Sequence, residues 1–271
     1  MAFGSAEADR LARLAAKRRE QDFPVECLDA NAAAALEPGL NPEVSLAALF
    51  PSDRAINNVR LLEALHRAAE RRGVAFRFGV PLSAVEMVRG RAVAMKVGNE
   101  RFTPGMLVVA AGVWSREVGA LLRLRVPVRP DKGEIFVLRP RTPPTHTVSW
   151  NDSYLVPRNN GELLVGSTSI RGAFDLTVTE TSQTLLLRRA LHMVPALTDA
   201  PLVRSWAGLR PCATIRRPII GFARGYENVI LATGHHRSGI LLAPITGQLV
   251  AELITHNATS IPIQPFCHRD R

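Results

Sequence analysis

The chain has 271 residues, 46% hydrophobic and 21% charged, the balance of a soluble globular protein with a real core. No apolar run approaches the length of a membrane span, and Met1 to Ala16 lacks the basic-then-apolar pattern of a secretory signal, so a cytoplasmic protein without a membrane partner is expected. The formal net charge of +10 invites nucleic acid, yet the only lysines are Lys17, Lys96 and Lys132, and the 6% aromatics do not alternate with basic positions as a stacking surface requires.

In chain order, Ala6 to Glu20 predicts a helix with Leu11, Leu14 and Ala15 on one face, and Ala30 to Leu36 a short one stopped by Pro38-Gly39. Asn57 or Asn58 caps a third helix carrying Val59, Leu62, Leu65 and Ala69, which Gly73 ends. Val74 to Val80 and Ala92 to Val97 read as strands around a turn at Arg89-Gly90. Met106 to Ala111 is an apolar run between Gly105 and Gly112, suited to a strand buried on both faces.

From Pro127 strands dominate: Glu134 to Leu138, Tyr154 to Pro157 and Glu162 to Gly166, with Asn159-Asn160-Gly161 expected to supply positive-φ turn residues. Thr181 to Met193 predicts a helix, Leu202 to Leu209 and Asn228 to Ala232 strands, and Ile240 to Ile254 the last helix. The fold class is therefore α/β in two domains. A parallel, Rossmann-like layer forms from 57–126 and 211–271, beside a mostly antiparallel sheet in 127–210, with 1–56 adding N-terminal helices to the latter.

Cys27, Cys212 and Cys267 are odd in number and widely spaced, and adjacent His235 and His236 point apart, so neither a disulfide framework nor a metal site is expected. Four segments carry candidate chemistry. In ILATGHHRSGILLAPITG (230–247) a buried strand runs through a glycine-bounded loop into a helix, whose free N–H groups favour negative charge. In WAGLRP (206–211), Arg210 at a strand end could grip a carboxylate bidentately or simply solvate that end. Tyr154 of YLVPR could orient a small ligand or cap the core edge. In VVAAGVWS (108–115), Gly112 stands at the carboxyl end of a strand, where α/β layers contact cofactors.

Together, in this order and from about Phe23 to Ile254, these motifs closely resemble the glycine oxidases. Those belong to the D-amino-acid oxidase and sarcosine oxidase group of FAD flavoproteins, and many bacteria use them in thiamine biosynthesis. The resemblance implies that Arg210 binds the substrate carboxylate, that Arg237 lies beside substrate and flavin, and that Tyr154 lines the pocket. It implies flavin contacts from Gly234, His235, His236, Arg237, Ser238, Gly239, Ile240 and Leu241, a cofactor turn at Ala111 and Gly112, and an adenine-side position at Pro81-Leu82. The implied reaction is hydride transfer from the substrate α-carbon to flavin, with O2 as acceptor, the substrate being glycine, sarcosine or a small D-amino acid. A homo-oligomer is left open.

The chain departs from the family in three places. No two of its 19 glycines lie two positions apart, so the G-x-G-x-x-G turn that cradles the FAD pyrophosphate is absent. Where the family reads GLRPGTPDGxPIIG this chain reads GLRPCATIRRPIIG, with Cys212 for a turn glycine and Arg216-Arg217 for Asp-Gly. Ser238 stands where asparagine is usual. Three readings follow: a working oxidase; a truncated, non-catalytic remnant that needs a missing N-terminal segment or partner to bind FAD; or a basic protein that binds nucleic acid or another acidic partner. The second expects unpaired sheet edges and exposed apolar surface.

Overall fold

The computed structural model describes residues 1–269. They divide into two compact units, each assembled from separate stretches of chain. One comprises Met1–Asn57, Gly133–Ser169 and Asp175–Gly208; the other comprises Asn58–Lys132, Ile170–Phe174 and the chain from Leu209 onward.

The elements in order begin with β1 (Ala2–Phe3), α1 (Gly4–Arg19), β2 (Glu26–Asp29), α2 (Ala30–Leu36) and β3 (Val44–Leu49). Next come α3 (Asn58–Glu70), β4 (Leu82–Val88), β5 (Arg91–Val97), β6 (Glu100–Phe102), β7 (Leu107–Val109) and α4 (Ser115–Leu121). Then follow β8 (Val128–Leu138), β9 (Val148–Trp150), β10 (Ser153–Pro157), β11 (Leu163–Gly166) and β12 (Ile170–Arg171). The chain closes with α5 (Glu180–Met193), β13 (Leu202–Ala213), β14 (Ile219–Phe222), β15 (Val229–Thr233) and α6 (Gly239–His256). This mixed α/β order is the expected fold class.

In the first unit, the 133–138 stretch of β8 pairs with β11, β11 with β10 and β10 with β9, all antiparallel. Strand alternation turns Phe136, Leu155, Leu163 and Val165 to one face, where Leu186, Ala190 and Met193 of α5 cover them. Thr179 starts α5 by accepting a hydrogen bond from the Ser182 N–H. Each fully buried leucine here contributes roughly 1.5–3 kcal/mol relative to exposure. The turn joining β10 to β11 differs from expectation. Only Gly161 adopts positive φ, at 79°, because a five-residue loop closed by Arg158 N–H to Glu162 C=O leaves both asparagines in ordinary conformations. The N-terminal stretch holds a three-stranded antiparallel sheet, β1-β3-β2, besides its helices. Its strands are two to six residues long, too short for a periodic signal.

The second unit contains two small sheets. In β14-β15-β7 the strands β15 and β7 run parallel, with Val229 beside Leu107 and Leu231 beside Val109; β14 joins antiparallel. In β4-β5-β6 all pairings are antiparallel. Val109, Leu122, Val126, Val229 and Leu231 share a core with Ala92 of β5. Buried Asn228 ties the sheets together: its carboxamide accepts from Ala92 N–H at 2.8 Å and donates to the carbonyls of Ala92 and Gly105.

Two expectations are corrected here. Residues 74–80 are not a strand; the strand lies further on, at β4. Val74, Phe76, Phe78 and Val80 do alternate, but among the described residues no ladder partner reaches them, and alternation without hydrogen-bonding partners does not make a strand. The segment His236–His256 is also more apolar than the sequence reading allowed, with mean hydropathy 1.4, enough by length and composition to cross a membrane. Thr246, Gly247, Gln248 and Glu252 interrupt its apolar runs and hid this. Its Leu249 and Leu253 pack with Ile220 and Ile230 of the sheet, while most of the segment is not buried.

Candidate active site

Parallel neighbours β7 and β15 deliver two loops from their carboxyl ends, the position at which open α/β sheets bind ligands. After β7, Gly112 at φ 56° opens a single 3-10 turn through Trp114. After β15, Gly234 at φ 78° turns the chain towards α6. A Cβ at Gly234 would stand 2.7 Å from the Cβ of Ala213, so backbone conformation and close approach both require glycine. The two loops are latched: the Thr233 hydroxyl donates to the Gly112 carbonyl at 3.0 Å and accepts from the Ser115 hydroxyl at 2.8 Å, with Ser115 and Thr233 both buried.

The loop between β15 and α6 gives its two histidines different surroundings. His235 places Nε2 3.0 Å from Thr246 Oγ1, and burial pushes its imidazole below the ordinary range, favouring the neutral form. His236, at φ 52°, reaches instead to Asp131 on β8, with Nε2 2.5 Å from Oδ2. Arg237 and Ser238 complete a 3-10 turn, and α6 begins at Gly239. Ser238 makes no side-chain cap, so the first N–H groups of α6 have no side-chain acceptor from their own N-cap. Ile240 and Leu241 follow, exposed, the latter by 80%.

Arg210 stands on β13, four-fifths buried, with Nη1 3.9 Å from Asp131 Oδ2. The second unit thus brings together Arg210, His236, the Arg237 turn and Asp131. It also gathers Ala111, Gly112 and Gly234 to Leu241 at one sheet end, as their strand context anticipated. Leu82 lies elsewhere in the unit, pairing with Val97 at the start of β4. Tyr154 belongs to the first unit, where it pairs with Gly166; a Cβ there would meet the Tyr154 hydroxyl at 2.7 Å, so glycine makes room for the phenol.

Sequence reasoning missed Asp131, Ser115 and Thr233. The one available signal was Asp131-Lys132, charged residues inside a strand-length run, both now buried. It also missed a polar corner of the first unit, where Glu37 accepts from Thr145 and His146 beside a cavity lined by Leu28, Leu36 and Leu40. Burial opposes ionisation of Glu37, but those donors outweigh it and hold the carboxyl below its ordinary range.

Three observations bear on whether a flavin fits. Space beside the Cβ position of Gly112 is open, Ser238 gives the α6 N–H groups no side-chain cap, and apolar Ile240 and Leu241 face solvent next to them. These suit a planar ring whose edge gains negative charge on reduction. No glycine-rich turn for a pyrophosphate exists in the sequence.

Residues 1–253 match the family described as FAD dependent oxidoreductase, and the chain belongs to that family, whose cofactor is FAD. Within the family its resemblance is to the glycine oxidases. It is 34% identical over 263 residues to the glycine oxidase of Geobacillus kaustophilus, covering 96% of this chain and 70% of that protein. The crystal structure of glycine oxidase from that organism superposes with a TM-score of 0.92 at 32% identity, over 98% of this chain and 72% of the other. The bifunctional protein ThiO/ThiG of Nostoc is 32% identical over 257 residues, 93% of this chain but 38% of that protein.

Proposed function

We propose that the chain oxidises a small amino acid or amine (glycine, sarcosine or a small D-amino acid) with O2 as acceptor, in the cytoplasm and in the service of thiamine thiazole synthesis. The observation that carries the reading is Arg210, four-fifths buried in the unit whose sheet end presents the Gly112 turn and the His235–Gly239 loop. FAD, when bound, supplies the hydride acceptor and passes the electrons to O2 as hydrogen peroxide.

This chain's residues do the holding. Ala111, Gly112 and the Gly234–Leu241 loop hold the ring end of the cofactor, and Leu82 the adenine side. The Arg210 guanidinium offers paired N–H donors to the substrate carboxylate, fixing the α-carbon by a two-point contact. Arg237 completes the substrate's surroundings. The amide N–H groups opening α6 favour the charge that develops on the pyrimidine edge, and neutral His235 adds no competing cation. Ile240 and Leu241 exclude water. No general base is required, because the substrate amine need only be neutral when hydride departs.

The test is to load the chain with FAD, pass it through gel filtration and measure glycine-dependent peroxide, before and after Arg210→Ala. Flavin retained with peroxide lost is expected; turnover unchanged by the substitution removes Arg210 from the role. A second reading is favoured by a different observation: α3 buries none of its residues, and the four alternating apolar side chains of 74–80 are exposed. On that reading the chain holds FAD only when further polypeptide covers this face, and addition of FAD alone leaves it colourless.

A further inference from the structure

Asp131 takes no part in the reading above, yet it sits between Arg210 and His236 in the second unit. It is 1% exposed, on β8, where its partner across the β8–β12 pairing is Arg171. One oxygen, Oδ2, serves two groups at once, His236 Nε2 at 2.5 Å and Arg210 Nη1 at 3.9 Å. An ionised carboxylate only accepts, so with Asp131 charged this contact takes its proton from His236 Nε2.

The two contacts compete. The Arg210 separation is that of an ion pair and not of a closed hydrogen bond, while the histidine holds the oxygen at hydrogen-bond distance. An incoming substrate carboxylate therefore meets a guanidinium whose charge is already partly offset by a buried anion. We propose that Asp131 is an internal counter-ion that limits how tightly Arg210 binds carboxylates, and that His236 sets the limit by drawing Oδ2 away from the arginine. The inference rests on the assignment of Arg210 to the substrate carboxylate. It gives the arrangement a purpose beyond grip: the oxoacid product carries the same carboxylate as the substrate, so a weakened arginine lets the product leave.

The arrangement demands opposite effects from its two members. Asp131→Asn keeps an acceptor for His236 but removes the charge, so carboxylates should bind more tightly. His236→Phe removes the donor and leaves Oδ2 to Arg210, so they should bind more weakly. An opposite charge within hydrogen-bond to ion-pair range at a mostly buried site is worth roughly tenfold or more in affinity. General damage to the fold would weaken binding in both variants.

The experiment is isothermal titration of acetate, an unreactive monocarboxylate, into the chain with FAD added, for the unsubstituted protein, Asp131→Asn, His236→Phe and Arg210→Gln. The expected result is about tenfold tighter acetate for Asp131→Asn, weaker acetate for His236→Phe and none for Arg210→Gln. Acetate affinity unchanged or reduced in Asp131→Asn, with Arg210→Gln still abolishing binding, overturns the counter-ion role and keeps the arginine's. Binding that survives Arg210→Gln, or no acetate binding by the unsubstituted chain, overturns both. If Asp131→Asn does not fold, the His236→Phe result decides alone, and unchanged or tighter acetate there is the contrary outcome.

Discussion

The sheet of the first unit and the helix α3 with its following segment use the same kind of residues to opposite effect. In the sheet, Leu155, Leu163 and Val165 are wholly buried beneath Leu186 and Met193. Along α3, Val59, Leu62 and Leu65 recur at the helical period yet are more than half exposed, and Phe76 and Phe78 stack on each other beside His66 while remaining accessible. Both patterns encode amphipathic elements. Periodicity fixes which side chains share a face, but only a facing partner turns that face into a core.

Substitutions can break or sharpen this contrast. The largest effect should come from Leu163→Ala, which empties space in a closed core and should lower unfolding free energy by about 2–5 kcal/mol in denaturant titration. Asn228→Ala comes next: it leaves the buried Ala92 N–H and the carbonyls of Ala92 and Gly105 without their partner, for a loss of about 2–4 kcal/mol. A pH effect follows. Arg204 grips Glu162 with both guanidinium N–H groups at 2.6 and 2.7 Å, with help from Asn160 and Arg139, and holds its carboxyl down to about 2. A depressed carboxyl stabilises above its unfolded value and loses that contribution as pH falls towards the folded one. Stability should therefore fall between about pH 4.5 and 2. Glu162→Gln should flatten that stretch of an acid-unfolding curve. The smallest effect belongs to Leu62→Glu on α3, within roughly 0.5 kcal/mol of neutral. It should nonetheless reduce self-association and binding of an apolar dye. A loss comparable to Leu163→Ala would show that α3 is covered after all.

The same contrast explains what was legible in the sequence. Helices α1, α2, α3, α5 and α6 and the strands around β7, β10, β11 and β15 carried long or uninterrupted patterns, with clear stops at Gly73 and Pro195. The segment 74–80 carried the strand alternation too, but pairing depends on residues distant in sequence and no local pattern reports it. β1, β2 and β3 were too short to register. In the candidate site, Arg210, Gly112 and the 234–241 loop stood out because glycines and prolines bracket them. Asp131 did not, since its meaning comes from His236 and Arg210, 105 and 79 residues further along the chain.

The central claim is that Arg210 holds a substrate carboxylate next to a flavin bound at the Gly112 and Gly234 loops. Anaerobic addition of glycine to the FAD-loaded chain tests it most directly, followed by visible absorption. Bleaching of the flavin band is predicted, together with its loss in an Arg210→Ala chain that still retains flavin. Bleaching that survives the substitution, or a chain that takes up no flavin even with its α3 face covered, contradicts the account.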